Sequence, residues 1–266
     1  MARTTKAVTV SKAASSGSKS IATIDQELQN EVANLKNQIG QASGNKIKVE
    51  ATGDFILPDG QNLGNELQLV VVDFVTRHTF YSGPYNPNNI VPPDCYAMGK
   101  DLSTLAPESD SPTPQSENCT SCPLNQFGSG SNGTSKACKN SRLLAVVIMD
   151  PEDPDASATL DATVYALEVP PSSIKSFDGA VAYTARALAG PPVKAIYTVR
   201  AQNAGTYAKI SFVDPLPNPN YAVHFARRTE VQDMLYRRPD FSARAARQPA
   251  RNTRAAAPRR TSTTGR

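Results

Sequence analysis

Leu67 to Val75 reads LQLVVVDFV. The run is almost continuous in apolar, β-branched residues and reads as a central strand. Two more runs share that character: Arg142 to Met149, RLLAVVIM, and Thr163 to Val169, TVYALEV. Pro170-Pro-Ser-Ser173 stops the third strand and supplies an N-cap. Ile174, Phe177, Val181 and Leu188 then fit a helix over 173–189, closed by Gly190-Pro-Pro192. Val193 to Arg200 and Thr206 to Val213 read as a strand pair joined through Gln202-Asn-Ala-Gly205. Five strands with one helix between the third and fourth is the order of an OB-fold, a small Greek-key barrel. Ile47–Glu50 and Phe55–Leu57 read equally as short strands, so six or more strands, or a split sheet, stay open.

Between the first two strong strands lies a long polar stretch, residues 92–140, that holds all four cysteines: Cys95, Cys119-Thr-Ser-Cys122 and Cys138. Few residues there can build an apolar core. A C-x2-C pair lets two thiolates approach one ion at about 2.3 Å, and two further cysteines complete a tetrahedron. The spacing points to a structural Zn2+ site inside an insertion, with no open position for a substrate. Two disulfides or unrelated free thiols are the other readings. The first twenty residues carry no apolar segment of signal-peptide length, which favours a reduced, cytoplasmic setting over secretion.

The charge is uneven. From Arg227 to Arg266, eleven arginines face Glu230, Asp233 and Asp240. That surplus of eight, against +4 for the whole chain, leaves the first 226 residues net negative. Residues 241–266 are mostly Ala, Arg, Pro, Thr and Ser, and read as a disordered basic tail after a short helical segment over 221–240. Residues 1–20 read as a disordered arm. Thr23-Ile-Asp-Gln26 has the form of a capping box, and Ile24, Leu28, Val32, Leu35 and Ile39 give an amphipathic helix over 21–40. That helix can pack in cis or mediate self-association. No apolar run is long enough for a membrane span. The two histidines, His78 and His224, lie far apart, and no phosphate loop, nucleophile elbow or HExxH occurs, so no enzymatic activity is expected.

Several segments together resemble zinc-containing single-stranded-DNA-binding proteins of tailed bacteriophages. They are LQLVVVDFV with YSGPYNPNN, then PPDCYAMGKD, SPTPQSENCTSCPLNQFGS, GTSKACKNSRLLAVV and LEVPPSSIKSF. The resemblance covers about residues 65–215. It implies an OB-fold domain over 45–220 with a zinc-bearing loop at 92–140. Cys95, Cys119, Cys122 and Cys138 would be the ligands. Single-stranded DNA and proteins of replication and recombination are the implied partners. The chain departs from such proteins at its end, where they often carry an acidic tail and this one carries Arg-Arg-Thr-Ser-Thr-Thr-Gly-Arg.

A strand binder that ignores sequence needs flat rings for bases and cations for phosphates; each stacked base contributes about 1–3 kcal/mol. The cysteine loop and its flanks carry Phe80, Tyr81, Tyr85, Tyr96 and Phe127 among Arg77, Lys100, Lys136, Lys139 and Arg142. The last hairpin adds Tyr207 and Lys209, two apart and so on one face. The candidate contacts are thus Arg77, Phe80, Tyr81, Tyr85, Phe127, Lys136, Lys139, Arg142, Tyr207 and Lys209. The rival reading is a basic virion or nucleoid protein that holds nucleic acid through its arginine-rich tail.

Overall fold

A computed structural model describes residues 45–84, 86, 91–150, 152–153, 155–239 and 241. The expected N-terminal arm, the helix over 21–40 and the tail from 242 onward lie outside the described residues, as does Tyr85.

The domain is mainly β. Its strands are β1 (Lys46–Val49), β2 (Phe55–Ile56), β3 (Glu66–Phe80), β4 (Cys95–Gly99), β5 (Lys139–Met149), β6 (Val164–Val169), β7 (Ala195–Asn203) and β8 (Ala208–Pro217). One long helix, α1 (Ile174–Ala187), lies between β6 and β7; two short ones, α2 (Tyr221–Ala226) and α3 (Gln232–Leu235), follow β8. Eight strands among the described residues replace the five expected. Both ambiguous N-terminal segments form strands, and Cys95–Gly99, expected to be loop, pairs with the end of β3.

All eight strands join one sheet in the order β2-β1-β6-β5-β3-β7-β8, with β4 added on β3. Every pairing is antiparallel except that of β1 with β6. The fifteen-residue β3 organises the rest. It pairs with β5 along almost its whole length, while its other side is shared by β7 over Glu66–Val70 and β4 over Thr76–Phe80.

The sheet curls around one core. Leu67, Leu69 and Val71 of β3 meet Leu144 and Val146 of β5, Leu167 and Val169 of β6, Tyr197 and Val199 of β7, and Ile210 and Phe212 of β8. Ile47 and Phe55 of the first two strands join the same cluster, so the sheet is a half-barrel and not a flat layer. Helix α1 fills its open side with Phe177, fully buried, whose ring meets Phe74 and Phe212 edge-on at 5.0 and 5.1 Å. The β1–β2 turn reaches across to β7. Gly53, at φ +101°, sits where an added Cβ would lie 3.2 Å from the Ala201 carbonyl.

A bulge between Val71 and Asp73 re-aims β3, so that Val72 and Val75 face outward. Leu143, Ala145 and Val147 of β5 and Val164 and Ala166 of β6 extend this outer apolar face. The segment after β8 covers it, with Val231 and Leu235 almost wholly buried there. His224 anchors the start of this strap: its Nδ1 is 3.1 Å from the Asn218 amide nitrogen, and its Nε2 is 3.1 Å from the Ser157 carbonyl. Among the described residues no helix is long and apolar enough to cross a membrane.

Candidate nucleic-acid interface and cysteine cluster

The cysteine loop starts from the C-terminal end of β3. Pairing of Phe80 with Cys95 and of His78 with Ala97 fixes β4 against it. The loop beyond is polar and is held by hydrogen bonds. The Cys119 N–H donates to the Leu105 carbonyl at 2.8 Å and the Cys138 N–H to the Leu124 carbonyl at 2.9 Å. The Asn125 side-chain amide donates to the Cys119 carbonyl at 2.7 Å, and that of Gln126 to the Thr120 carbonyl at 2.9 Å. These two amides lock the C-x2-C turn, Asn125 from its buried side and Gln126 from its exposed side. Only their spacing after Cys122 could have marked them in the sequence. Gly130 allows the next turn to close, since a Cβ there would stand 2.2 Å from the Ser135 hydroxyl.

Cys95, Cys119, Cys122 and Cys138 line one cavity together with His78, Phe80, Leu124 and Asn125. Its free volume of about 20 Å³ suits one ion or one water. The four are free thiols. Among the described residues no three His, Cys, Asp or Glu side chains are grouped so as to hold a metal ion; what the thiols share is the cavity wall. Burial pushes Cys95 up, partly offset by the Gln115 backbone N–H. Burial and the neighbouring thiols push Cys119 up to about 11 and Cys138 to about 12. Such thiols stay protonated on their own; a coordinated divalent cation removes their protons outright. Four soft sulfur donors on the wall of one ion-sized space are the donor type that Zn2+ takes. Burial also pushes His78 down to about 4, helped by Lys136 and Arg142, so its ring is neutral at pH 7. His78 Nδ1 is buried with no hydrogen-bond partner.

The candidate contact residues divide by position. Phe127 stands out from the loop, 81% exposed, with the Lys136 ammonium 5.0 Å from its ring centre. Lys136 also donates to Asn125 Oδ1 at 3.3 Å, which ties this pair to the C-x2-C turn. Lys139, at the start of β5, and Tyr81, just past β3, are exposed on the same end of the sheet. Phe80 is half-buried and lines the cysteine cavity. Arg77 lies near Glu168. Burial would raise that carboxyl, but Lys46 at 2.7 Å and then Arg77 more than reverse it.

Two groups stand apart from the expected constellation. Arg142 is only 6% exposed and donates to both carboxylate oxygens of Asp178 on α1 through one guanidinium edge, Nη2 at 2.9 Å and Nε at 3.3 Å. Its place among the cations beside the loop aromatics pointed to phosphate, and its side chain joins sheet to helix. Tyr207 and Lys209 are exposed, yet they lie at the opposite end of β3. Arg200 pairs with Glu66, so the β7–β8 tip lies beyond the start of β3. The cysteine loop hangs from its end, about 45 Å away along the strand. Lys100 is held by Asp73, which also receives Arg228 at 3.2 Å and the Gln232 amide at 3.1 Å.

No family model matches the chain, and no curated protein or solved structure matches it either.

Proposed function

We propose that this chain binds single-stranded DNA without regard to base sequence, at the cysteine-loop end of an OB-like half-barrel. The observation that carries the reading is the Phe127–Lys136 pair. A ring left 81% exposed beside a cation offers a face for any base and a charge for the adjoining phosphate. The loop that presents it is stiffened by amide hydrogen bonds and, in this reading, by Zn2+ held on Cys95, Cys119, Cys122 and Cys138. The metal supplies no chemistry beyond cross-linking the loop. Tyr81, Lys139 and Arg77 extend the path along the same end of the sheet, and Tyr207 with Lys209 serve a strand long enough to reach the far end. Resemblance to phage single-strand binders suggests replication and recombination in the host cytoplasm as the setting, with proteins of those processes as partners.

The test is a titration of the full chain with oligo-dT. Phe127→Ala should weaken binding by about 5- to 150-fold, the span that corresponds to one lost stack. Unchanged affinity in both Phe127→Ala and Lys136→Gln would overturn the reading.

One observation favours the second reading, binding through the arginine-rich tail of a packaging protein. Small barrels commonly take strands on the outer face of their second and third strands. Here the corresponding β5–β6 face is covered by Val231 and Leu235. Tail-driven binding predicts equal affinity for duplex and single strand; binding at the loop predicts a preference for the unpaired strand.

A further inference from the structure

Helix α2, Tyr-Ala-Val-His-Phe-Ala, is apolar except for His224, yet it buries the polar residue and shows the apolar ones. Asn218 and the Ser157 carbonyl hold the His224 ring, which fixes how the helix is turned. Tyr221, Ala222, Phe225 and Ala226 are all exposed, and at that spacing they share one side of the helix. The two rings stand 43% and 48% exposed. Apolar side chains grouped in this way mark a contact surface.

Each ring has a cation against it. The Lys194 ammonium is 5.0 Å from the centre of the Tyr221 ring, and the Arg228 guanidinium carbon is 5.2 Å from that of Phe225. The turn that carries Lys194 is tied to the root of the helix. Asn218 donates its backbone N–H to the Lys194 carbonyl and its side-chain amide to the Val193 carbonyl, both at 2.8 Å. Arg228 and Lys100 both reach the Asp73 carboxylate, which neutralises one of them. Asp155 takes the Asn220 amide at the helix start. Lys100, Lys194 and Arg228 thus face Asp73 and Asp155, and the balance stays positive. The patch sits at a gap in the sheet. On one side of β3, β7 takes Glu66–Val70 and β4 takes Thr76–Phe80. Asp73 lies between them, Lys194 leads directly into β7, and Lys100 directly follows β4. The rings therefore stand partway along β3, between the β7–β8 tip with Tyr207 and the loop with Phe127.

We propose that Tyr221 and Phe225, with Lys194 and Arg228, form a second stacking platform for an unpaired nucleic-acid strand, at the gap between β7 and β4. The inference takes its ligand class from the strand-binding reading and stands on residues that reading does not use. Four residues apart on a helix, the rings have Cβ atoms about 5–6 Å from each other, close enough to serve successive bases. An apolar partner surface would have to strip water from the ammonium and the guanidinium beside the rings. A polyanion with flat bases uses both kinds of group, and a contact made of stacking and phosphate pairing carries no base preference.

The experiment uses the full chain and an oligo-dT of about thirty nucleotides. Ultraviolet cross-linking of the wild-type complex followed by trypsin should place adducts on 210–227, the peptide with both rings, as well as on 101–136, the peptide with Phe127. Tyr221→Ala/Phe225→Ala should weaken binding at least about 5-fold, the loss of one stack or more. Lys194→Gln should lower the slope of log K against log salt by about 0.7, one phosphate contact. Both rings are exposed, so an unchanged thermal midpoint is expected and shows that the fold is intact. Wild-type affinity in the double variant, with adducts confined to 101–136, overturns the platform and leaves the loop reading standing. So does a double variant that changes only the oligomeric state. Adducts on 210–227 with Phe127→Ala at wild-type affinity keep the platform and overturn the loop reading. No adduct on either peptide overturns both.

Discussion

The Ser173 hydroxyl accepts the backbone N–H of Ile210 at 2.8 Å. One turn on, the Ser176 hydroxyl accepts that of Phe212 at 2.9 Å. β8 is an edge of the sheet, and its inner N–H groups would otherwise be buried without partners. The start of α1 thus takes the place of a neighbouring strand. Ser173→Ala leaves the Ile210 N–H unpaired in a site sealed from water and should cost about 1–3 kcal/mol. Denaturant unfolding should show a lower midpoint with an unchanged slope, and Ser176→Ala a smaller effect.

Gly53→Ala should destabilise for a different reason. The position combines φ +101° with backbone atoms of β7 at 3.2 and 3.3 Å from a built Cβ. The strain is expected to cost about 1–3 kcal/mol, again read from the unfolding midpoint. A midpoint at or above wild type would show that the β1–β2 turn does not need to press on β7.

Arg142 should matter for stability and not for DNA. Asp178→Asn leaves its guanidinium buried beside a neutral partner. Because Asp178 is itself half exposed, the loss should be about 1–2 kcal/mol, below that of a fully buried pair. Oligonucleotide affinity per folded molecule should stay at the wild-type value.

The Asp73 contacts make the strap sensitive to acid. Burial alone would raise this carboxyl, but Lys100, Gln232, the Phe74 N–H and Arg228 outweigh it and hold it below its ordinary 3.8. A lowered folded-state value stabilises fully above the unfolded value and is lost as pH falls through the folded one. The strap should therefore stay latched at neutral pH and loosen below about pH 4. At pH 7, Asp73→Asn should imitate the acid state. Faster tryptic cleavage after Arg228 and Arg237 than in wild type is the expected readout.

Metal analysis bears on the cysteine cluster directly. The purified chain should contain one zinc per molecule, and its four thiols should resist alkylation until a strong chelator is added. Cys119→Ser should lower zinc content and speed proteolysis within 100–137 while β3 and β5 stay protected from hydrogen exchange. Free thiols that react at once, with no zinc present, would remove the metal from the proposal.

The strong strands were legible in the sequence because each is an apolar run bounded by turn residues, and α1 because its apolar spacing sits between proline stops. β4 was not. CYAMG is short, lies in a polar stretch, and becomes a strand only because β3 runs far enough to pair with it. The bulge at Val71–Asp73 was hidden inside a run whose residues are apolar on both faces. The strap was read as a short helix, but nothing local tells which surface Val231 and Leu235 cover. For the site, Phe127 with Lys136 could be seen as aromatic beside cation. The distance of Tyr207 from the loop depends on strand register, and the capture of Arg142 on a carboxylate 36 residues later, neither of which composition carries.

The strap also has a consequence for synthesis. Val72 and Val75 leave the ribosome about 160 residues before the Val231 and Leu235 that cover them. At about 5–20 residues per second, the outer sheet face stays bare for some 8–30 s in the nascent chain. A message broken before codon 231 would release a nearly complete barrel with a greasy flank, a substrate for chaperones and proteases. Intact chains bury that flank late, so the strap acts as a seal on the finished product.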